Sequence, residues 1–384
     1  MVESKGLGPN AKLIGAKGSR SQLSTPNLLL DLDALERNIA AMAAFAAERG
    51  VALRPHAKTH KSVQIARRQM AKGAVGACCA KLGEAEALAA GGIESLLITS
   101  PVVSAPAIDR LIGLNNHVGA LVVVADHPDN VRALGEAAQK FGGRPLAVVV
   151  DIDPGFHRTG VATPDAAVAL ARQIADTPAL RFAGVQMYCG SDQHIEAYAD
   201  RRAAIAQRTE YLSGIITRLK AEGLAPPLVT GSGTGTHMID AELGVFTELQ
   251  VGSYVFMDSQ YGVCDLTGDG AAPFETALMV DARVVSASHA GMVTVDAGLK
   301  AFATEAGAPQ ILAGAAPGST YRFFGDEHGA VVPPKGEKPP ALGEVVTFAA
   351  PHCDPTVNLY DAYHVVRGDT LVEIWPIQAR GRSR

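Results

Sequence analysis

The chain has 384 residues, 47% of them apolar, and a formal net charge of −5 with no long run of one sign. Such a length exceeds one small core and calls for two or three domains or a large barrel, while the balanced charge excludes nucleic acid and membrane surfaces as partners. The five cysteines, Cys78, Cys79, Cys189, Cys264 and Cys353, form no CxxC pair. That pattern points to reduced thiols in the cytoplasm and away from a structural zinc site.

Residues 1–24 are polar and glycine-rich, with Lys5, Lys12, Lys17 and Arg20 but no signal-type apolar core, and read as a loose arm that could join a β domain. Asn27 to Leu32 is a short strand, after which Asp33 caps an alanine-rich helix to about Arg49. From there apolar, β-favouring runs appear at 51–53, 76–80, 95–99, 120–124, 147–152, 182–188, 228–230 and 249–256, with alanine-rich amphipathic segments between them. Eight alternations match a (β/α)8 barrel better than an open doubly wound sheet. Past Leu266 helical patterning fades, and strand-like runs lie at 275–285, 292–296, 342–348, 363–366 and 371–375. The expected architecture is α/β: a TIM-like (β/α)8 barrel over 25–266 and a mostly-β domain over 267–384.

Arg54-Pro-His-Ala-Lys-Thr-His-Lys61 ends the first barrel run. On a strand pointing to the catalytic end, His56, Lys58 and His60 would face one side. Lys58 would then be a partly desolvated amine that loses its proton readily and forms an imine with an aldehyde. Such a cluster by itself is more often a solvated basic loop. The other strand ends contribute Lys81, Asp151 to Arg158, Tyr188 to His194, Thr230 to Thr236 and Gly252-Ser253-Tyr254. The Gly/Ser/Thr loop at 230–236 follows the seventh strand, where barrels commonly hold phosphate. An imine lysine opposite a phosphate cradle suggests pyridoxal phosphate, with Tyr188 and Arg158 in reach of its ring. The alternative is structural: Arg158 paired with Asp153, and Tyr188 capping a core. In the second domain His352 and Asp354 stand two residues apart; in extended backbone they would face one side and bind one hydrated divalent ion. Asp326 is a further candidate carboxylate.

Together, 54–61, Ala80-Lys-Leu-Gly-Glu-Ala-Glu86, Gly231-Ser-Gly-Thr-Gly-Thr236, Glu248-Leu-Gln-Val-Gly-Ser-Tyr254 and His352-Cys-Asp-Pro355 resemble the D-threonine aldolase and D-serine dehydratase group. The resemblance runs from Thr25 through nearly the whole chain, in matching order. It implies an alanine-racemase-like fold in which Lys58 binds the aldehyde of pyridoxal 5'-phosphate. Arg158 would lie by the phenolic oxygen and Tyr188 by the pyridine nitrogen. Thr234, Gly235, Thr236, Gly252, Ser253 and Tyr254 would hold the phosphate, and His352 the metal. The His-Cys-Asp order resembles the aldolase members, whereas dehydratases carry His-x-Cys; an oxygen ligand at Asp354 favours Mn²⁺ or Mg²⁺. The implied activity is cleavage of D-3-hydroxy amino acids to glycine and an aldehyde, with His194 or a hydroxide on the ion as base, in a homodimer. Rival readings are a D-serine or 3-hydroxyaspartate dehydratase, a pyridoxal-phosphate carrier without turnover and, more weakly, a racemase.

Overall fold

The computed structural model describes residues 8–384. Its first strand, β1 (Asn27–Asp31), leads into a helix over Leu32–Arg49. The Asp31 carboxylate caps that helix by accepting from Ala34 N at 3.0 Å, so the cap is Asp31 rather than the expected Asp33. Gly50 ends it in the left-handed conformation at φ 65°, which a residue without Cβ adopts freely.

Eight parallel strands follow: β2 (Ala52–Leu53), β3 (Ala77–Cys79), β4 (Ser95–Ile98), β5 (Ala120–Ala125), β6 (Leu146–Ile152), β7 (Leu180–Met187), β8 (Leu228–Gly231) and β9 (Glu248–Leu249). They order as β2-β9-β8-β7-β6-β5-β4-β3. The ring closes beyond the end of β2, where Ala57 N donates to Cys78 O at 2.8 Å and Cys78 N to Pro55 O at 2.9 Å. Every residue of β6 is buried, as expected for a strand covered on both faces. Proline at the first turn opens the helices Pro128–Phe141 and Pro164–Asp176, where a missing N–H costs nothing. The run expected as strand over 249–256 is strand only to Leu249; Ser253–Val255 winds into a 3-10 turn.

The remaining strands are β10 (Leu278–Ser286), β11 (Val293–Val295), β12 (Gln310–Ala313), β13 (Thr320–Phe323), β14 (Gly329–Val332), β15 (Val345–Ala349), β16 (Ala362–Arg367) and β17 (Thr370–Pro376). β12, β13 and β14 had no counterpart in the sequence reading. β1 also departs from it. Rather than joining the barrel segment, it sits between β10, antiparallel, and β16, parallel, inside the nine-stranded sheet. The arm is not loose from residue 8 onward: Gly15 N donates to Leu371 O at 2.8 Å and Arg20 pairs with buried Asp281 at 3.1 Å. Lys5 lies outside the described residues. One apolar core runs through barrel and sheet, joining Val148 and Val185 to Val280 and Phe348.

Candidate active site

Lys58 does not lie on the strand. β2 ends at Leu53, and residues 57–60 form a turn, so the expected alternation of His56, Lys58 and His60 is broken. His56 packs beneath, its Nδ1 accepting from Lys58 N at 3.4 Å and its Nε2 meeting Thr99 Oγ1 at 3.1 Å. His60 is fully buried and its imidazole is pulled down to about 4 by desolvation. Lys61 takes a left-handed φ of 51° and makes a buried ion pair with Glu84.

The Lys58 ammonium is paired with Asp354, on a short helix over Cys353–Val357 between β15 and β16. Burial disfavours the lysine charge, but the Asp354 carboxylate outweighs it and raises the pKa. The easily deprotonated amine read from the sequence is therefore overturned, by a partner 296 residues away. Burial likewise opposes charge on Asp354, yet Lys58 and His352 hold its carboxyl well below the usual range. His352 caps the same helix by position but not by side chain, because its Nδ1 meets Glu305 Oε1 at 2.7 Å. His352 keeps extended backbone, at φ −142° and ψ 122°, but Asp354 lies in the first turn of the helix, so the two do not share the continuous extended backbone expected. Asp326 is exposed and pairs with Lys300 at 4.0 Å; Glu305 is the carboxylate that reaches His352.

Two connected spaces meet at Lys58. A cavity of about 520 Å³ is lined by Lys58, Lys81, Arg158, Tyr188, Gln186 and Gln250. A smaller one of about 120 Å³ is lined by Lys58, Tyr188, His194, Thr234, Ser253 and His352, with Gly233 and Gly252 in its wall. Arg158 lies 5.5 Å over the Tyr188 ring, and Asp153, its alternative partner, is held instead by His157 at 2.8 Å. His194 packs against Tyr261, the ring centroids 4.4 Å apart and tilted by 44°, with its Nδ1 buried and unpartnered among the described residues. Burial, with His352 and Lys58 nearby, lowers it to about 4, so at neutral pH it is an uncharged proton acceptor.

The backbone N–H groups of Thr234, Gly252 and Ser253 meet no acceptor among the described residues, and all three residues line the smaller cavity. Backbone N–H groups left without an acceptor are the kind that can receive an anion. Gly235, Thr236 and Tyr254, grouped with them by sequence, are turned inward. Gly235 N donates to Gln193 Oε1 at 3.1 Å, Thr236 Oγ1 to Asp240 at 2.5 Å, and Tyr254 N to Thr234 Oγ1 at 2.9 Å. They brace the loop. Gln193 and Gln250 lie within the stretches 188–194 and 248–254 but were not singled out; of the unforeseen Tyr261 and Glu305, only Tyr261, three residues past Asp258 at a helix cap, has a local signal.

The alanine racemase N-terminal domain family matches residues 30–260, and the putative serine dehydratase domain family matches 277–366. D-threonine aldolase of Arthrobacter sp is 41% identical over 364 residues, covering 95% of this chain and 94% of that protein. The chain belongs to the D-threonine aldolase family. Within that family, 3-hydroxy-D-aspartate aldolase of Paracoccus denitrificans (strain Pd 1222) is 39% identical over 367 residues, covering 94% of each chain. The crystal structure of D-threonine aldolase from Filomicrobium marinum superposes with a TM-score of 0.90 at 40% identity, covering 94% of this chain and 97% of that one. Its membership accounts for the pairing of a parallel barrel with a second, mostly-β unit.

Proposed function

We propose that this protein is a pyridoxal-phosphate lyase that cleaves D-threonine and other D-3-hydroxy amino acids to glycine and an aldehyde, activated by Mn²⁺ or Mg²⁺. One observation carries the reading: Lys58 and Asp354, from opposite parts of the chain, meet at the junction of the two cavities. The residues suit both groups. Lys58 stands between the anion cradle of Thr234, Gly252 and Ser253 and the Arg158–Tyr188 pair, as an aldehyde and a phosphate on one ring require. A lysine cation rests against Asp354, so this carboxylate accepts positive charge; Asp354 and His352 would hold the ion, with the remaining positions left to water or substrate.

Bound pyridoxal phosphate supplies the aldehyde that takes the substrate amine and a ring that accepts electrons from the breaking Cα–Cβ bond. A divalent ion on His352 and Asp354 supplies charge that acidifies the substrate 3-hydroxyl. Arg158 and Tyr188, packed with the guanidinium 5.5 Å over the phenol ring, would hold the cofactor's pyridine ring. Glu305 holds the His352 ring through Nδ1, leaving Nε2 as its donor. His194 takes the hydroxyl proton; being neutral, it needs no prior deprotonation. Five free thiols support a reducing, cytoplasmic setting, and among the described residues no helix is long and apolar enough to cross a membrane. The assembly we infer is a homodimer.

The test is incubation of purified protein, pyridoxal phosphate and Mn²⁺ with D- and with L-threonine. Glycine and acetaldehyde from the D-isomer alone are expected. Keto acid and ammonia without glycine would move the assignment to a dehydratase, and no turnover of either isomer would remove it.

A further inference from the structure

Lys58 and His194 stand on the barrel, whereas His352 and Asp354 stand on a helix of the second sheet, so the reacting groups face one another across a seam. That helix, Cys353–Val357, has an unusual start. The residue at its cap position is His352, whose side chain is engaged with Glu305 and caps nothing. The first N–H of the helix is satisfied from outside. Asp258, 2% exposed and following the eighth barrel strand, accepts from Cys353 N through Oδ2 at 2.9 Å. Its other oxygen, Oδ1, accepts from Tyr261 N at 3.0 Å and so caps its own short helix, Ser259–Gly262. Tyr261 is the ring against which His194 packs. The seam is further closed by Ser259 N donating to Ala350 O at 3.0 Å and Gln260 N to Pro351 O at 3.3 Å.

We propose that Asp258 is a positioning residue whose single carboxylate caps two helices at once, fixing the metal-ligand pair His352 and Asp354 relative to the barrel-borne His194. Because the imidazole at the natural cap is needed for the ion, the capping duty passes to a carboxylate on the other side of the seam. The same group sets the platform under the base. A carboxylate suits this and a carboxamide does not, since the two N–H donors meet different oxygens and a carboxamide would turn an NH₂ toward one of them. This inference rests on the function proposed above.

The experiment compares wild-type holoenzyme with Asp258→Asn and His352→Ala. Asparagine is as good an N-cap as aspartate, so its oxygen keeps Tyr261 N while its NH₂ opposes Cys353 N, and the fold should survive. The expected result is a Mn²⁺ dissociation constant, read by electron paramagnetic resonance titration, weakened about tenfold or more, as for partners that orient metal ligands. Cofactor absorbance should stay as in wild type, the melt should remain cooperative though lowered by the loss of one buried hydrogen bond, and excess Mn²⁺ should restore turnover. A Mn²⁺ affinity within about twofold of wild type overturns the role of Asp258. So does loss of the cooperative melt together with the cofactor, which would mark a general structural part. A His352→Ala protein that binds Mn²⁺ normally instead removes the metal-site reading itself. In wild type, Mn²⁺ should slow backbone hydrogen exchange over 353–357 and 259–262 together; slowing confined to 353–357 overturns the shared cap.

Discussion

Replacing Lys58 by Ala removes the amine at the junction of both cavities and leaves Asp354 buried without its cation. Turnover of D-threonine should fall by at least about 10³-fold, and the visible absorbance of bound cofactor should be lost; a variant with near-normal kcat would sink the scheme. His194→Ala should lower kcat by about 10²–10⁴-fold while leaving Mn²⁺ affinity unchanged, which steady-state kinetics and metal titration separate. At this scale the sequence disclosed residue types but not their states. Lys58 is recognisable from its neighbours, yet its charge depends on Asp354, and no local pattern links positions 296 apart. Glu305 was illegible for the same reason: its role exists only because a distant loop meets His352.

The barrel strands were readable because burial on both faces demands continuous apolar runs, as in β6. Two of the unforeseen strands have the opposite composition. β12 and β13 are largely exposed and short, so they lack both an apolar run and a clean alternation. The run after β9 was over-read because Tyr254, Val255 and Phe256 are buried without being strand. There Gly252 must pass close to Thr59, whose Oγ1 would lie 2.7 Å from any added Cβ. One element boundary yields a stability test. Glu84 accepts from Lys61 and from Ala80 N at 2.8 Å and Lys81 N at 3.3 Å, where the helix Leu82–Ala90 begins. Glu84→Ala should therefore destabilise by about 3–5 kcal/mol, leaving a buried lysine charge unpaired. Lys61→Met, which leaves Glu84 its two backbone donors, should cost less in urea unfolding; the reverse order would refute this account.

For the whole molecule, the alternation of elements fixed the barrel and the change of rhythm near 266 marked the second unit, because both follow from periodicity. Which sheet β1 belongs to does not, since a five-residue apolar strand suits either. Stability against pH also belongs to this scale. Burial lowers the pKa of His56, His60, His194, His237 and His364, so below the ordinary imidazole value the unfolded chain binds protons that the fold excludes. Stability should rise with pH from about 4 to 6.5, by about 1.4 kcal/mol per pH unit for each net proton. Burial raises Asp151 and Asp240 to about 6, and raises Asp258, which opposes this over part of the window. Five groups against three leave a net rise, so the melting temperature should be lower at pH 5 than at pH 7; a flat or inverted profile would contradict it.

The place of β1 bears on how the chain is made. The strand in the middle of the second sheet leaves the ribosome first, and its neighbours β10 and β16 leave after the entire barrel. The barrel is in effect an insertion within a sheet whose strands flank it in sequence on both sides. Until β10 has been made, residues 27–31 present a strand with three consecutive leucines and nothing to pair, a hazard that chaperones or the nascent helix after it must cover. Cutting the gene near codon 266 would not yield two folding units: the downstream piece would lack its central strand, and only a permuted chain that joins the first 31 residues to the last part could restore it.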